Sequence, residues 1–281
     1  MLAETLIERL TANGSPWGYR YNEDGAAEPT AIAAIALATH QQRPDLVTAA
    51  LEWLKEIQKD HGGVPILPNF APYWPTSIAL EAWARAGKGA YGEVADRATA
   101  YLLDHAGRAL PQNDLFGHDS TLVGWSWVDN THSWVEPTSY AISALREAGA
   151  ADHARVREGV RLLLDRCLPE GGWNYGNTRV MQNVLRPFPA TTGVALVALR
   201  GEARTPPIER SLAYLRDTAP TIPAPLSLAW ATLGLRAWGE TIDLEDALAT
   251  AVQGRPPTPL HDALALWACP IADEAGEEES P

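Results

Sequence analysis

The sequence predicts an all-α protein, a single (α/α)6 toroid, from a repeated Pro/Thr helix start, two alternating kinds of apolar helix, and an almost complete lack of strand signal. Glu28-Pro29-Thr30 stands before AIAAIALA, Trp74-Pro75-Thr76 before SIALEAWARAG, and Glu136-Pro137-Thr138 before SYAISALREAG. A fourth copy runs from Pro189 through Thr191 and Thr192 into GVALVALRG, and Pro225 and Pro259 open a fifth and a sixth. Each proline reads as a first helical residue, where its missing N–H goes unneeded and its fixed φ already suits a helix. Gly87 and Gly149 fall where two of these helices should stop, as C-terminal caps.

The Pro-started segments are almost uniformly Ala, Leu, Ile, Val and Trp, the composition of helices buried on most sides. They are the inner helices. Between them lie LVTAALEWLKEIQ from Leu46, EVADRATAYLLDHA from Glu93 and HARVREGVRLLLDRC from His153, whose apolar residues recur at helical spacing opposite a charged face. These are outer helices. About six of each, alternating, stack as hairpins that bury one another's apolar faces, and closing the stack into a ring protects both of its ends. The toroid is assigned to residues 1–272, and the acidic run 273–281 is expected to be a disordered, solvated tail.

Composition narrows the function classes. A formal net charge of -13 without any cluster of Lys and Arg argues against a nucleic-acid partner and against docking on an anionic membrane. Glu4, Glu8 and Arg9 interrupt the first ten residues, unlike a signal peptide, and no run has the apolar length of a membrane span. A cytoplasmic location is therefore expected. Cys167 and Cys269 belong to no CxxC pair and read as inert thiols. The chain has 11 Trp against 3 Phe, many of the Trp in Gly- and Pro-rich connections, which calls for a structural role there.

Those connections carry a resemblance. Gln58 through Gly62 to Val64 keeps the spacing of the QxxxGxW motif with Val in place of Trp, and Cys167 through Gly171 to Trp173 keeps the Gly and Trp and replaces the Gln. Coupled to the Pro-Thr helix starts, these turns make almost the whole chain resemble the terpenoid-cyclase and protein-prenyltransferase superfamily. The resemblance implies a toroid with an apolar, aromatic cavity and an isoprenoid or similar hydrophobic small molecule as ligand. In class II cyclases of that superfamily a DxDD motif before Thr-Ala supplies the proton. Setting its Thr on Thr138 lays Trp134-Val135-Glu136-Pro137 over the motif, with Glu136 at the acid position and no acidic neighbours at Trp134 or Pro137. In the zinc-dependent prenyltransferases an Asp-x-Cys pair holds the metal. Glu136 would replace that Asp, but Thr138 stands where the thiolate should be. A literal Asp165-Arg166-Cys167 ends an outer helix, facing away from the lumen, and there is no DDxxD cluster for magnesium. No metal or other cofactor is expected.

The candidate catalytic residues are Glu136, Asp129 and His132. Glu136 and its repeat partner Glu28 have two readings, as carboxylates satisfying free N–H groups at helix N-termini, or as lumen-facing acids perturbed by burial. Asp129 and His132 are either an acid/base pair at the ring mouth or a hydrogen-bonded loop brace. His261-Asp262 reads as a cap with a surface His, and His61 as part of its Gly turn. Trp74, Trp127, Trp134, Trp173, Tyr175 and Phe188 precede inner helices and so gather at one rim. They either line the ligand cavity, offering ring faces to a carbocation, or staple neighbouring hairpins, a role that suits Trp173 best. The functional reading is a metal-independent cyclase- or isomerase-like enzyme. The competing one is a toroid that binds hydrophobic ligands without catalysis.

Overall fold

A computed structural model describes residues 1–87, 89–112 and 117–271 of the chain. The predicted acidic tail lies outside the described residues.

The described residues form twelve α-helices. The inner six are α2 (Ala27–Thr39), α4 (Pro75–Ala86), α6 (Val135–Glu147), α8 (Pro189–Ala198), α10 (Pro225–Arg236) and α12 (Pro259–Ala268). Each packs on the next, and α12 packs back on α2, so the ring is closed. The outer helices α3 (Pro44–Ile57), α5 (Gly92–Asp104), α7 (Ala154–Asp165), α9 (Pro206–Thr218) and α11 (Glu245–Gln253) each pack on the inner helix before them. The sixth outer position is filled by α1 (Leu2–Asn13), which lies against α12 and completes the circle with its buried stripe of Leu2, Leu6 and Leu10. Strand structure is confined to a short antiparallel hairpin, β1 (Arg179–Val180) with β2 (Asn183–Val184), in the connection before α8.

Two helix starts differ from expectation. Pro75, Pro189, Pro225 and Pro259 do open their helices, but α2 and α6 begin two residues before their prolines, at Ala27 and Val135. Pro29 and Pro137 fit there because N–H groups of the first helical turn have no intrahelical partner. The shift places Glu28 and Glu136 inside the first turn. At the other end, Gly149 (φ 81) lets Ala150 N–H bond to Leu145 O and its own N–H bond to Arg146 O, a Schellman close. Gly87 ends α4 with right-handed φ, so its freedom is not used in the same way.

The recurrent threonine has a specific task. Thr30, Thr76, Thr138 and Thr192 accept through Oγ1 from the N–H of Trp17, Val64, Trp125 and Trp173 at 3.0, 2.8, 2.9 and 2.9 Å. Each hydroxyl also donates to the carbonyl of the same residue. One side chain thus satisfies both polar groups of a buried connection. The indoles of Trp17, Trp125 and Trp173 then donate to Leu10 O, Leu102 O and Leu163 O, tying the connection to the end of the preceding outer helix. Thr138→Val keeps the volume but strands the buried Trp125 N–H, an expected loss of about 1–3 kcal/mol that a shift in the urea midpoint would report.

The turn at residues 58–64 is equally constrained. Gln58 donates to Gly62 O and Val94 O at 3.0 and 2.9 Å and accepts from Arg97, bridging the turn to α5. Gly62 has φ 95, and a Cβ there would lie 2.1 Å from Arg97 O, so only glycine fits.

Candidate functional site

The N-terminal ends of the inner helices surround a mouth holding three carboxyl groups: Glu28 from α2, Glu136 from α6 and Asp262 from α12. None caps its own helix. Tyr19 donates to Glu28 Oε2 at 2.7 Å, and Thr191 donates to Glu136 Oε1 at 2.8 Å. Tyr21 donates to Asp262 Oδ2 at 2.6 Å, with Arg9 Nη1 3.4 Å from Oδ1. Asp262 is thus not the cap the sequence suggests, and His261 beside it is half-buried rather than on the surface. Asp262 is buried and ties α12 to α1 and to the following connection, while Thr258 provides the cap.

Burial shifts all three carboxyls upward. Burial lifts the Glu28 carboxyl to about 7, and the nearby Glu136 charge pushes in the same direction against the Tyr19 hydrogen bond. Burial also raises Glu136, opposed by the Thr191 hydroxyl. Glu28 is therefore substantially protonated at neutral pH. It lies deep in the ring yet keeps some solvent access, the combination expected of a group lining an opening.

Below the carboxyls a chain of aromatic rings crosses the lumen. Trp127 meets Trp74 edge-on at 5.1 Å between centroids, and Trp74 lies 6.1 Å from Tyr140. Tyr140 on α6 lies 5.9 Å from Trp230 on α10, and Trp230 lies 5.8 Å from Trp267 on α12. Since α8 stands between α6 and α10 in the ring, the Tyr140–Trp230 contact bridges the interior in front of α8. At this depth the lumen is occupied by the protein's own rings, so the open hollow expected from the sequence is not what the side chains form.

The far end is charged. Arg85 lies 5.7 Å from the Trp267 ring centroid and pairs with Glu81 at 2.8 Å and Glu147 at 2.9 Å, and Glu147 also pairs with Arg200. Around this rim, cationic and imidazole side chains satisfy terminal carbonyls of neighbouring helices. Arg146 donates to Ala198 O and Arg200 O, Arg236 to Ala268 O and Cys269 O, and His40 bonds to Leu266 O.

The remaining sequence candidates separate. Asp129 is exposed beside a cleft of about 30 Å³ shared with Tyr73, Trp74, Tyr101 and His105. His132 is exposed and stacks on Trp134 at 4.4 Å, and burial lowers its pKa. Among the described residues no hydrogen bond or ion pair joins Asp129 to His132, so they form neither the acid/base pair nor the brace. Trp173 is fully buried and donates to Leu163 O as a staple, and Tyr175 and Phe188, both exposed, pack on each other at 5.0 Å. Trp74 and Trp127 alone of the six aromatic candidates join the ring chain. Tyr140, Trp230 and Trp267 carry no sequence signal of a site because they lie inside inner-helix segments, where an aromatic residue looks like ordinary core.

Asp165 accepts from the Asp119 N–H and Cys167 meets Ser211 Oγ, so that pair has structural partners. Among the described residues no group of three His, Cys, Asp or Glu side chains is placed to hold a metal ion, and no helix is long and apolar enough to cross a membrane.

Among solved structures, the type II terpene cyclase MstE from Scytonema superimposes with a TM-score of 0.62 at 16% identity, covering 95% of this chain and 94% of that one. The chain has a terpenoid cyclase-like fold. A protein from Actinoplanes shares this terpenoid cyclase-like toroid with a TM-score of 0.64 at 16% identity, over 93% of this chain and 81% of that one. A glycoside hydrolase family 76 mannosidase from Bacteroides thetaiotaomicron does so at 0.54 and 14% identity, over 95% and 96%. No family model and no curated protein matches the sequence. A terpenoid cyclase-like fold thus fixes the architecture and leaves the chemistry to the site.

Proposed function

We propose that the chain binds an isoprenoid or similar hydrophobic molecule at the mouth of the toroid and acts on it in a cyclase- or isomerase-like reaction. The observation that carries this reading is Glu28, a buried carboxyl that ionises at about 7 and so still holds its proton in part at neutral pH, at the head of an aromatic lumen. Glu28 is the proton donor and Tyr19 its positioning residue. Glu136, held by Thr191, serves as the second carboxylate, able to steady positive charge or take a proton at the end of the reaction. Burial raises both carboxyls, and the charge of Glu136 raises Glu28 further, so one of the pair can hold a proton while the other carries charge. The faces of Trp74, Trp127, Tyr140 and Trp230 offer negative potential to a developing cation. Ligand entry requires Trp74 and Trp127 to part, which is feasible because the second sits on a connection and the first at a helix start. The MstE structures described with geranylgeranyl dihydroxybenzoate and with merosterolic acid A, on the same fold, agree with a prenylated ligand. Asp129 and His132 have no part in this reading.

The test is incubation of purified protein with squalene and prenyl diphosphates, followed by mass spectrometry of the extract. New cyclised or isomerised products that vanish in Glu28→Gln and Glu136→Gln are expected. Binding without conversion would instead support a non-catalytic toroid, and neither binding nor conversion would remove the isoprenoid reading. Glu136→Gln carries a second readout. Removing its charge lowers the Glu28 pKa, so the titration of Glu28 followed by carboxyl NMR should move to lower pH.

A further inference from the structure

Tyr140 is the one phenol in the aromatic chain, and its hydroxyl can both donate and accept where the neighbouring indoles can only donate. Its ring is enclosed by Trp74, Trp127 and Trp230, with centroids 6.1, 6.4 and 5.9 Å away, and it keeps partial solvent access. Three other tyrosines have their hydroxyls engaged: Tyr19 with Glu28, Tyr21 with Asp262 and Tyr101 with Pro72 O. Among the described residues no protein group hydrogen-bonds to the Tyr140 hydroxyl. Burial and the negative charges of Glu136, Glu28 and Glu81 hold it in the neutral form, so it keeps its proton to donate. An unpaired phenol among indoles is costly unless water or a ligand completes it.

We propose that Tyr140 donates a hydrogen bond to an acceptor oxygen on the ligand, and that the site therefore selects an oxygen-bearing isoprenoid, such as an alcohol, ether or ketone, over a plain hydrocarbon. This rests on the proposed hydrophobic-ligand reading. Acid strength points the same way. A carboxyl that ionises near neutrality gives little driving force for protonating a carbon–carbon double bond, whereas an oxygen lone pair accepts its hydrogen readily. Glu28 and Tyr140 then present two donors to the same end of the ligand, and the Trp faces cover the chain behind it.

The experiment compares farnesol with farnesene, a C15 alcohol and a C15 hydrocarbon, by quenching of Trp fluorescence in one detergent background. Wild type should bind farnesol about three- to tenfold more tightly, the effect of one neutral hydrogen bond. Tyr140→Phe, which preserves ring volume, should bring farnesol to the farnesene level without changing the thermal midpoint. If the variant keeps the wild-type preference, or if wild type binds both equally, Tyr140 does not select the oxygen and this inference falls while the ligand reading stands. If neither probe binds, the ligand reading falls and takes this inference with it.

Discussion

Glu28→Gln is expected to make the protein more stable at pH 8 and, at the same time, catalytically dead. A buried carboxyl that ionises at about 7 in the fold and near 4.5 in the unfolded chain binds its proton more tightly when folded. Its contribution is thus fully present below about pH 4.5 and is lost as pH rises through about 7. The loss amounts to about 3 kcal/mol. Gln is neutral at every pH and can still accept from Tyr19, so it avoids that loss. The variant should melt close to wild type at pH 5 and roughly 5–10 °C above it at pH 8. Equal melting temperatures at both values would mean that Glu28 ionises normally. Under the proposed function the same substitution also removes the proton donor, so turnover should fall by about a hundredfold or more, and wild-type turnover should decline as pH rises past about 7. A residue that costs stability in the state that surrounds it is common where activity sets the choice.

The second large effect is expected at the crossing of α8 and α10. A Cβ on Gly193 would lie 2.1 Å from Trp230 O, and one on Gly234 would lie 2.7 Å from Gly193 Cα. These are backbone contacts, which cannot swing aside as a side-chain tip can. Gly193→Ala must therefore push the two helices apart. Because the ring is closed, that displacement has to be absorbed by the remaining inner helices or by the Trp230 contacts inside the lumen. A loss of about 3 kcal/mol or more is expected, at the upper end for overpacking. Gly201 is the control: it has φ 84 but nothing within 4 Å of a Cβ, so Gly201→Ala should cost only about 1 kcal/mol. Comparable midpoints for the two variants would show that the crossing tolerates separation.

How much the sequence reveals depends on the range of the interaction. Pro-Thr starts, glycine turns and the split between uniformly apolar and amphipathic helices are local signals, and they locate the alternating helices and the ring. The threonine braces were visible only as a repeated letter, since their partners, such as Trp17 for Thr30, lie on the preceding connection. Glu28 and Glu136 were flagged as helix-start carboxylates, yet both ignore their own helix ends and bond to Tyr19 and Thr191. Nothing local distinguishes these outcomes. Their protonation behaviour is set by what the closed ring places around them, and the same holds for Tyr140, whose neighbours come from α4, α10 and the connection before α6. Asp129 and His132, close in sequence, diverge because the connection turns between them, with Asn130 at φ 60.

The packing of α1 on α12 also dictates an order of events during synthesis. During synthesis α1 finds its partner α12 only after the ten helices between them have been translated, roughly 10–50 s later at ordinary elongation rates. Throughout that wait the greasy edge of Leu2, Leu6 and Leu10 has no native cover. Within the toroid α1 is consequently the segment most vulnerable to clumping, and a holding chaperone acting on it should raise yield more than one acting on any other helix of the ring.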